Sequence, residues 1–220
     1  MVEQMKRLLR REPGPIVDNP EYTEEASEMV KRALKYTRKG KALDIGTQRG
    51  RNALFLARNG FRVTATDVTE KGFDTLRENA RNSGILTRLR IKTKLKDARD
   101  GLSGMYHMMV CSRMLNLLPR KEHALAIIKD MMTHTRSGGI NVLEAPTKDG
   151  DFYRGAHPTG VAFYPEPRSE KRPVSELEQI YIDAGWQILE YEQKQMEYRV
   201  QLEEINHPKN LTSLLISQKP

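Results

Sequence analysis

The feature that most constrains this chain is the stretch KALDIGTQRGRNALFLARNGFRVTATD, residues 41–67. It opens with a short apolar segment, typical of a strand buried on both faces. A turn containing Gly46 and Gly50 follows, then the helical stretch RNALFLAR, which ends at Asn59 and Gly60. A second strand ends at Asp67. Strand, helix and strand in this order predict two parallel strands joined by a crossover helix.

The rest of the chain continues this alternation. Apolar periodicity predicts helices from Thr23, over 70–83, over 121–134 and after Ser175. Strands are predicted at 89–95, 105–112 and 140–145, with a turn at 136–139 (RSGG). Residues 89–95 alternate apolar and basic side chains, which is typical of a half-solvated strand at the sheet edge. The segments 187–193 and 211–217 resemble a final antiparallel pair, so we expect an α/β fold with a mostly parallel, doubly wound sheet.

Length and periodicity suggest one domain with additions. A chain of 220 residues suffices for one well-buried α/β domain. We expect that domain at residues 23–220, preceded by an N-terminal extension at 1–22. Helical and strand periodicity are absent over about thirty residues. In a compact domain, an irregular segment of that length is usually a functional loop. We therefore expect a lid insertion at 146–172.

Composition narrows the functional classes. The formal net charge is +8, so an acidic partner is compatible with the chain but is not implied by it. Cys111 is the single cysteine, which excludes an internal disulfide and a thiolate-rich metal site, and we expect no metal site. No apolar run reaches about 18 residues, and the first residues lack the apolar core of a signal peptide. We expect a cytoplasmic protein, monomeric or homodimeric, without a membrane partner.

The turn after the first strand carries the main functional signal. Asp67 lies near the distance downstream of Asp44 at which a second-strand carboxylate meets the ribose of a nucleoside. A dinucleotide site would show G-x-G-x-x-G, with a pyrophosphate at the helix N-terminus. Here the glycines are Gly46 and Gly50, and an acid stands two residues before the first. Because a carboxylate repels phosphate and attracts an ammonium or sulfonium group, the turn favours S-adenosylmethionine (SAM) over a nicotinamide.

The same stretch resembles the first two motifs of class I SAM-dependent methyltransferases. GRNALFLARNGFRVTATD is similar in particular to the tellurite-resistance (TehB-like) branch, and the likeness continues less clearly through RSGGINVLEAP and the C-terminal strands. This resemblance implies a Rossmann-like class I methyltransferase fold: a mostly parallel seven-stranded sheet, an antiparallel C-terminal strand, and helices on both faces. It also implies SAM as cofactor, with S-adenosyl-L-homocysteine (SAH) as product.

The resemblance further implies which residues bind the cofactor. Asp67 would meet the ribose, and Asp97 with Ala98 would face the adenine. From the residues alone, Asp97 could equally be a helix cap and Cys111 a buried small hydrophobe. The full expected cofactor set is Asp44, Gly46, Thr47, Gly50, Asn52, Asp67, Val68, Asp97, Ala98 and Cys111, with Arg51 and Ser112 nearby.

Two positions depart from the family pattern. Gln48 stands where the family usually has its middle glycine, and His107 stands where many members have an acid near the start of the fourth strand. If Gln48 needs a positive φ, or if its Cβ meets the cofactor, binding should weaken. A negative φ with the side chain turned away would leave binding intact.

The expected lid is aromatic and basic, which suits a substrate cover but also a loop packed on the sheet. Its candidate substrate contacts are Tyr153, His157 and Tyr164; Phe163 belongs to the same composition. We expect methyl transfer to a small-molecule acceptor, such as an anion, a thiol or a chalcogen oxyanion. Two alternatives stay open: a nucleic-acid (RNA) methyltransferase using the basic surface at 88–96, and a catalytically inactive binding module.

Overall fold

The protein forms a seven-stranded sheet flanked by helices. The computed structural model describes residues 25–84, 89–147, 161–163, 174–195 and 211–220. The strands within these residues are β1 Lys41–Ile45, β2 Arg62–Asp67, β3 Ile91–Leu95, β4 Tyr106–Ser112, β5 Thr135–Pro146, β6 Gln187–Gln195 and β7 Leu211–Gln218. The helices are α1 Glu28–Ala33, α2 Arg51–Arg58, α3 Phe73–Asn82, α4 Lys121–His134 and α5 Glu176–Asp183.

The strand order confirms the predicted fold. The order is β3-β2-β1-β4-β5-β7-β6. Strands β1 to β5 pair in parallel, and β7 pairs antiparallel with both β5 and β6. The strand order therefore changes direction between β1 and β4. At such a point, open α/β sheets form a ligand-binding crevice at their carboxyl edge.

Apolar side chains fill both faces of the sheet. Met108 and Val110 of β4 pack into one buried cluster with α1, α2 and α3. Met109 and Cys111, which alternate with them, pack into a second cluster with α4 and α5. A strand buried on both faces needs the unbroken apolar run that the sequence shows. The expected helices on both faces are confirmed.

The first helix begins later than predicted. Thr23 lies outside the described residues, but residues 25–27 are not helical and α1 starts at Glu28. Ser27 stays extended, with ψ 139°, because its backbone N–H donates to Asn52 Oδ1 at 2.9 Å and its hydroxyl donates to Glu144. These contacts join positions distant in sequence, so local periodicity could not locate the helix start.

The predicted turn at 136–139 is an excursion inside β5. Thr135 pairs with Tyr106 and Ile140 with Met108, so four residues of β5 bulge between neighbouring pairs of β4. Gly138 takes the left-handed conformation at φ 69°, and its N–H donates to the carbonyl of Lys219 at 3.0 Å. The strand therefore starts directly after α4, because the C-terminal residues support the bulge.

Strand β3 is a sheet edge, as expected, with unequal faces. Ile91 packs on the first apolar cluster, and Thr93 accepts a hydrogen bond from Arg77 of α3. Lys92 and Lys94 point to the opposite face, because strand side chains alternate. Between β3 and β4 the chain forms only a short 3₁₀ turn at Ala98–Asp100, so no helix from this connection covers that face.

The predicted extension at 1–22 lies outside the described residues, as does most of the predicted lid. Within the lid range, Thr147 forms a parallel bridge to Phe163. Phe163 is fully buried in the second apolar cluster, so this aromatic packs on the sheet and does not form part of an exposed cover. None of the described helices is long and apolar enough to cross a membrane.

Candidate cofactor site

Two carboxylates meet at the carboxyl edge of the sheet. Parallel pairing sets Asp44 opposite Ala65 and Ile45 opposite Thr66, so β1 and β2 end side by side. Asp44 is 2% exposed and Asp67 is 9% exposed. The sequence spacing correctly predicted that these acids end neighbouring strands.

Asp44 is a buried acid held at the turn. Its Oδ2 accepts a hydrogen bond from Thr47 Oγ1 at 2.6 Å. Burial raises the pKa of Asp44 to about 6, against the opposing effects of the Thr47 hydrogen bond and the Arg51 charge. The group is mostly ionised at neutral pH, and a cation beside it would stabilise the ionised form further.

The turn itself is fixed by backbone contacts. The N–H of Thr47 donates to Thr66 O at 2.9 Å, and the N–H of Gly50 donates to Thr47 O at 2.8 Å. Gly50 has φ 79°, and a Cβ there would lie 2.3 Å from Leu76. Gly72, which the sequence reading missed, lets the start of α3 approach the turn, since a Cβ there would lie 2.2 Å from Gln48 O.

Gln48 adopts a backbone conformation that glycine favours. Its φ is 48°, in the left-handed region, so the positive-φ alternative is the correct one. Its side chain is exposed, and its backbone N–H donates to Asp67 Oδ2 at 2.9 Å. The turn therefore places this N–H against Asp67 at a cost in backbone strain.

Asp67 bridges the turn and the residues after β2. Its Oδ1 accepts from the N–H of Thr69 at 3.1 Å, while Oδ2 accepts from Gln48. Each carboxylate oxygen has two lone pairs, so both retain capacity for a further donor such as a hydroxyl. Val68, beside it, is 47% exposed and offers an apolar surface at the same edge.

Asp97 lies next to this edge and caps a turn. The N–H of Lys96 donates to Asp67 O at 2.8 Å, which brings the β3 end close to β2. Asp97 Oδ1 accepts from the N–H of Arg99 at 2.9 Å, and its carboxylate pairs with the Arg99 guanidinium. Burial opposes ionisation, yet the Arg99 hydrogen bonds and charge hold the pKa of Asp97 below its usual value. The cap interpretation is correct, and the adenine contact of Asp97 and partly buried Ala98 stays a prediction.

Asn52 and Cys111 are buried next to the site, and their contact with the cofactor stays a prediction. Asn52 is 4% exposed, and its side chain holds the backbone of Ser27. Cys111 is fully buried on β4, where burial and the charges of Asp44 and Glu144 raise the pKa of its thiol. A buried neutral thiol is a poor nucleophile, so Cys111 acts as a small apolar side chain.

Sequence reasoning missed a buried polar cluster around Glu144. This residue lies near the carboxyl end of β5 and is 3% exposed. It accepts hydrogen bonds from the hydroxyls of Ser27 and Ser112, and its Oε2 lies 3.8 Å from Arg113 Nε and 4.0 Å from Arg51 Nη2. In the sequence, the only sign of this cluster is one acid near the end of an apolar strand. The four partners of Glu144 come from distant segments, so local patterns could not predict the cluster.

His107 lies away from this edge. It is level with Lys41, whose backbone N–H donates to His107 Nδ1 at 3.2 Å, at the amino end of the strands. Four residues of strand, about 13 Å, separate that level from Ile45. Burial and the charges of three arginines lower the pKa of His107, so the ring is neutral at pH 7. The departure at His107 therefore does not alter the candidate site.

The predicted substrate contacts Tyr153, His157 and Tyr164 lie outside the described residues. Within the described part of the chain, no group of three or more histidine, cysteine or acidic side chains is placed to hold a metal ion.

The strand order, the reversed β7 and the two acids around a glycine turn define the fold class of SAM-dependent methyltransferases. Among solved structures, the chain is similar to the N-methyltransferase NodS from Bradyrhizobium japonicum WM9 in complex with SAH, with a TM-score of 0.64 and 16% identity over 99% of this chain and 97% of that chain. At that identity the likeness shows the fold alone. It is also similar to TehB from Haemophilus influenzae, with a TM-score of 0.71 and 26% identity over 89% of this chain and 63% of that chain.

A match to a family model over most of the chain shows the family. The model of the family "Tellurite resistance protein TehB" matches residues 16–209, and the chain belongs to this family. A curated relative, the probable S-adenosyl-L-methionine-dependent methyltransferase TehB of Haemophilus influenzae strain 10810, is 28% identical over 179 residues. That match covers 81% of this chain and 57% of the relative, so the chain spans little more than half of its length.

Proposed function

We propose that this protein is a SAM-dependent methyltransferase that acts on a small-molecule acceptor. The observation that supports the proposal is the position of Asp44 and Asp67 on either side of the glycine turn, at the carboxyl edge of β1 and β2. Membership of the TehB family supports it, as does the probable methyltransferase activity named for the TehB relative. The single buried cysteine suits a reducing compartment, and we place the enzyme in the cytoplasm.

The side chains at this edge fit the cofactor chemically. Asp67 has lone pairs for two ribose hydroxyls, and Asp44 supplies negative charge for the ammonium and sulfonium end. Asp97 and Ala98 would border the adenine. When bound, SAM supplies an activated methyl group on a positively charged sulfur.

The contribution of the chain to methyl transfer is binding and positioning. An acceptor must be held in line at about 3 to 3.5 Å from the methyl group, with water excluded. Tyr153, His157 and Tyr164 are the residues that we propose for contact with the acceptor. An acceptor that is already nucleophilic, such as a thiolate or a chalcogen oxyanion, needs little base catalysis, whereas a neutral hydroxyl needs a positioned base.

The test is formation of SAH in the presence of candidate acceptors. The purified protein is incubated with SAM and with a small thiol, selenite, tellurite or a primary amine in turn, and SAH is quantified by mass spectrometry. We expect acceptor-dependent turnover with at least one of these, lost in Asp67→Ala and kept in Glu78→Gln, an exposed acid of α3. SAH binding without turnover on any acceptor would instead support the inactive binding module.

A further inference from the structure

An open groove crosses the part of the sheet face, beside β2 and β3, that no helix of the described residues covers. Lys92, Lys94 and Lys96 form one wall along β3, and Thr64 of β2 lies in the floor. Ser103 and Tyr106, on the approach to β4, form the opposite wall. The groove continues to the amino ends of the strands, past Arg62 and Lys41. It runs from beside the cofactor edge, where Lys96 precedes Asp97, to the opposite edge of the sheet.

The charge along this groove has one sign. Its lining contains no aspartate or glutamate but six cations: Lys41, Arg62, Arg90, Lys92, Lys94 and Lys96. Within the described residues, no carboxylate lies within 4.0 Å of the ammonium groups of Lys92, Lys94 or Lys96. A solvated edge strand needs only some charge to prevent strand addition, and mixed charges would serve equally well. Six cations without an acid among the lining residues produce a local positive field that attracts a polyanion.

The other side chains of the groove suit phosphate. Thr64 and Ser103 bring hydroxyl groups between and opposite the lysines, whereas the hydroxyl of the buried Tyr106 donates to Ser103 O at 3.0 Å. Lysine, serine and threonine are among the side chains that contact nucleic-acid backbones. Lys92 and Lys94 stand two strand residues apart, about 6.6 Å, so they form a regular row of cations.

The groove offers little of what a protein partner needs. Protein interfaces use exposed aromatic and apolar anchors at their centre. Here the central Leu43 and Tyr106 are buried, and the exposed Leu89 and Met105 lie at the amino end. Among the residues that line the groove, no exposed aromatic offers a stacking platform for bases, so contacts would be made with the backbone.

We propose that this groove, defined by Lys92, Lys94, Lys96, Thr64, Ser103 and Tyr106, binds the phosphate backbone of RNA independently of base sequence. The proposal does not depend on the proposed methyltransferase activity, because the groove lies on the sheet face and not at the Asp44 turn. RNA bound there would run toward the cofactor edge through Lys96.

The test is fluorescence anisotropy with a labelled 20-nucleotide single-stranded RNA of mixed sequence, without SAM, over a range of salt concentrations. The variant Lys92→Gln/Lys94→Gln/Lys96→Gln removes one wall of cations. The control Arg81→Gln/Lys129→Gln/Lys194→Gln removes the same charge from exposed positions on α3, α4 and β6. Each phosphate contact contributes about 0.7 to the salt dependence of single-strand binding. We therefore expect the groove variant to bind at least about tenfold more weakly and to lose about 2 from the log-log slope.

The control variant should keep nearly the affinity and slope of the original protein. Equal losses in both variants would overturn the proposal, because binding would then follow net charge and not the groove. Equal competition by polyglutamate at matched charge concentration would also overturn it, in favour of an acidic polypeptide. Unchanged SAH binding and thermal unfolding of the groove variant would show that the loss is local, and would separate this result from failure of the proposed activity.

Discussion

Gln48 occupies a backbone conformation that most side chains avoid. Its φ of 48° costs an L-residue about 1 kcal/mol or more relative to the right-handed region. Its side chain is exposed, so little packing offsets this cost. We predict that Gln48→Gly raises the free energy of unfolding, measured by urea denaturation, by up to about 1 kcal/mol after the entropy cost of glycine is subtracted.

A neighbouring substitution provides the control for this prediction. Arg49 has no positive φ, so Arg49→Gly should lower the free energy of unfolding by about 0.5 to 1 kcal/mol. If Gln48→Gly destabilises the protein as much as Arg49→Gly does, the left-handed backbone is not strained, and Gln48 contributes through its side chain.

The raised pKa of Asp44 predicts a pH dependence of cofactor affinity. Burial raises this pKa to about 6 in the free protein, so the acid gains a proton as pH falls through 6. A cationic ligand prefers the ionised form, and the proton therefore competes with it. We expect affinity for SAM, measured by calorimetry, to fall about tenfold between about pH 7.5 and about pH 5.

Asp44→Asn is the matched control for the pH series. It cannot ionise, so its weaker binding should stay level over the same pH range. A parallel fall in the variant and the original protein would assign the pH effect to another group.

At the scale of elements, the Glu144 cluster connects the start of α1, the first turn of α2 and the ends of β4 and β5. Replacing one member of a buried ion-pair cluster leaves the opposite charges without compensation. We predict that Glu144→Gln lowers the free energy of unfolding by about 3 kcal/mol, measured by urea denaturation. The isosteric exposed substitution Glu78→Gln should change it by less than about 0.5 kcal/mol. A small effect in both variants would mean that Glu144 is not required for this connection.

Local signals predicted the elements whose causes are local. Apolar periodicity located α4, and Ser175 with Glu178 forms the capping box that starts α5. The start of α1 and the excursion in β5 could not be predicted, because they depend on contacts of Ser27 with Glu144 and of Gly138 with Lys219. Those partners are separated by more than eighty residues of sequence.

The same distinction holds for the candidate site. Asp44 and Asp67 could be predicted because parallel pairing brings the ends of successive strands together. Glu144, Arg113 and Gly72 could not, since their roles depend on packing between elements. The predicted edge for Asp97 was correct. Its capping of the turn and its ion pair with Arg99 depend on the local backbone conformation, which the sequence pattern does not reveal.

At the scale of the whole molecule, the fold has two candidate functional surfaces on one sheet. The carboxyl edge joins β1, β2 and β3 in the candidate cofactor site, and the uncovered face beside β3 presents the cationic groove. A covering helix after β3 would bury this face, and the described chain has only a 3₁₀ turn there. The short connection after β3 therefore leaves accessible a surface beside the strands that carry the candidate cofactor acids.

The central claim is that the turn between Asp44 and Asp67 binds SAM, and calorimetric titration with SAH tests it most directly. We predict micromolar binding by the original protein. Asp67→Ala should bind at least about tenfold more weakly, because the removed carboxylate is the one assigned to the ribose hydroxyls, and each hydrogen bond to a charged group contributes about 1.5 to 3 kcal/mol. Glu78→Gln should bind like the original protein. Absence of heat and of thermal stabilisation at millimolar SAH, in a protein that unfolds cooperatively, would contradict the claim.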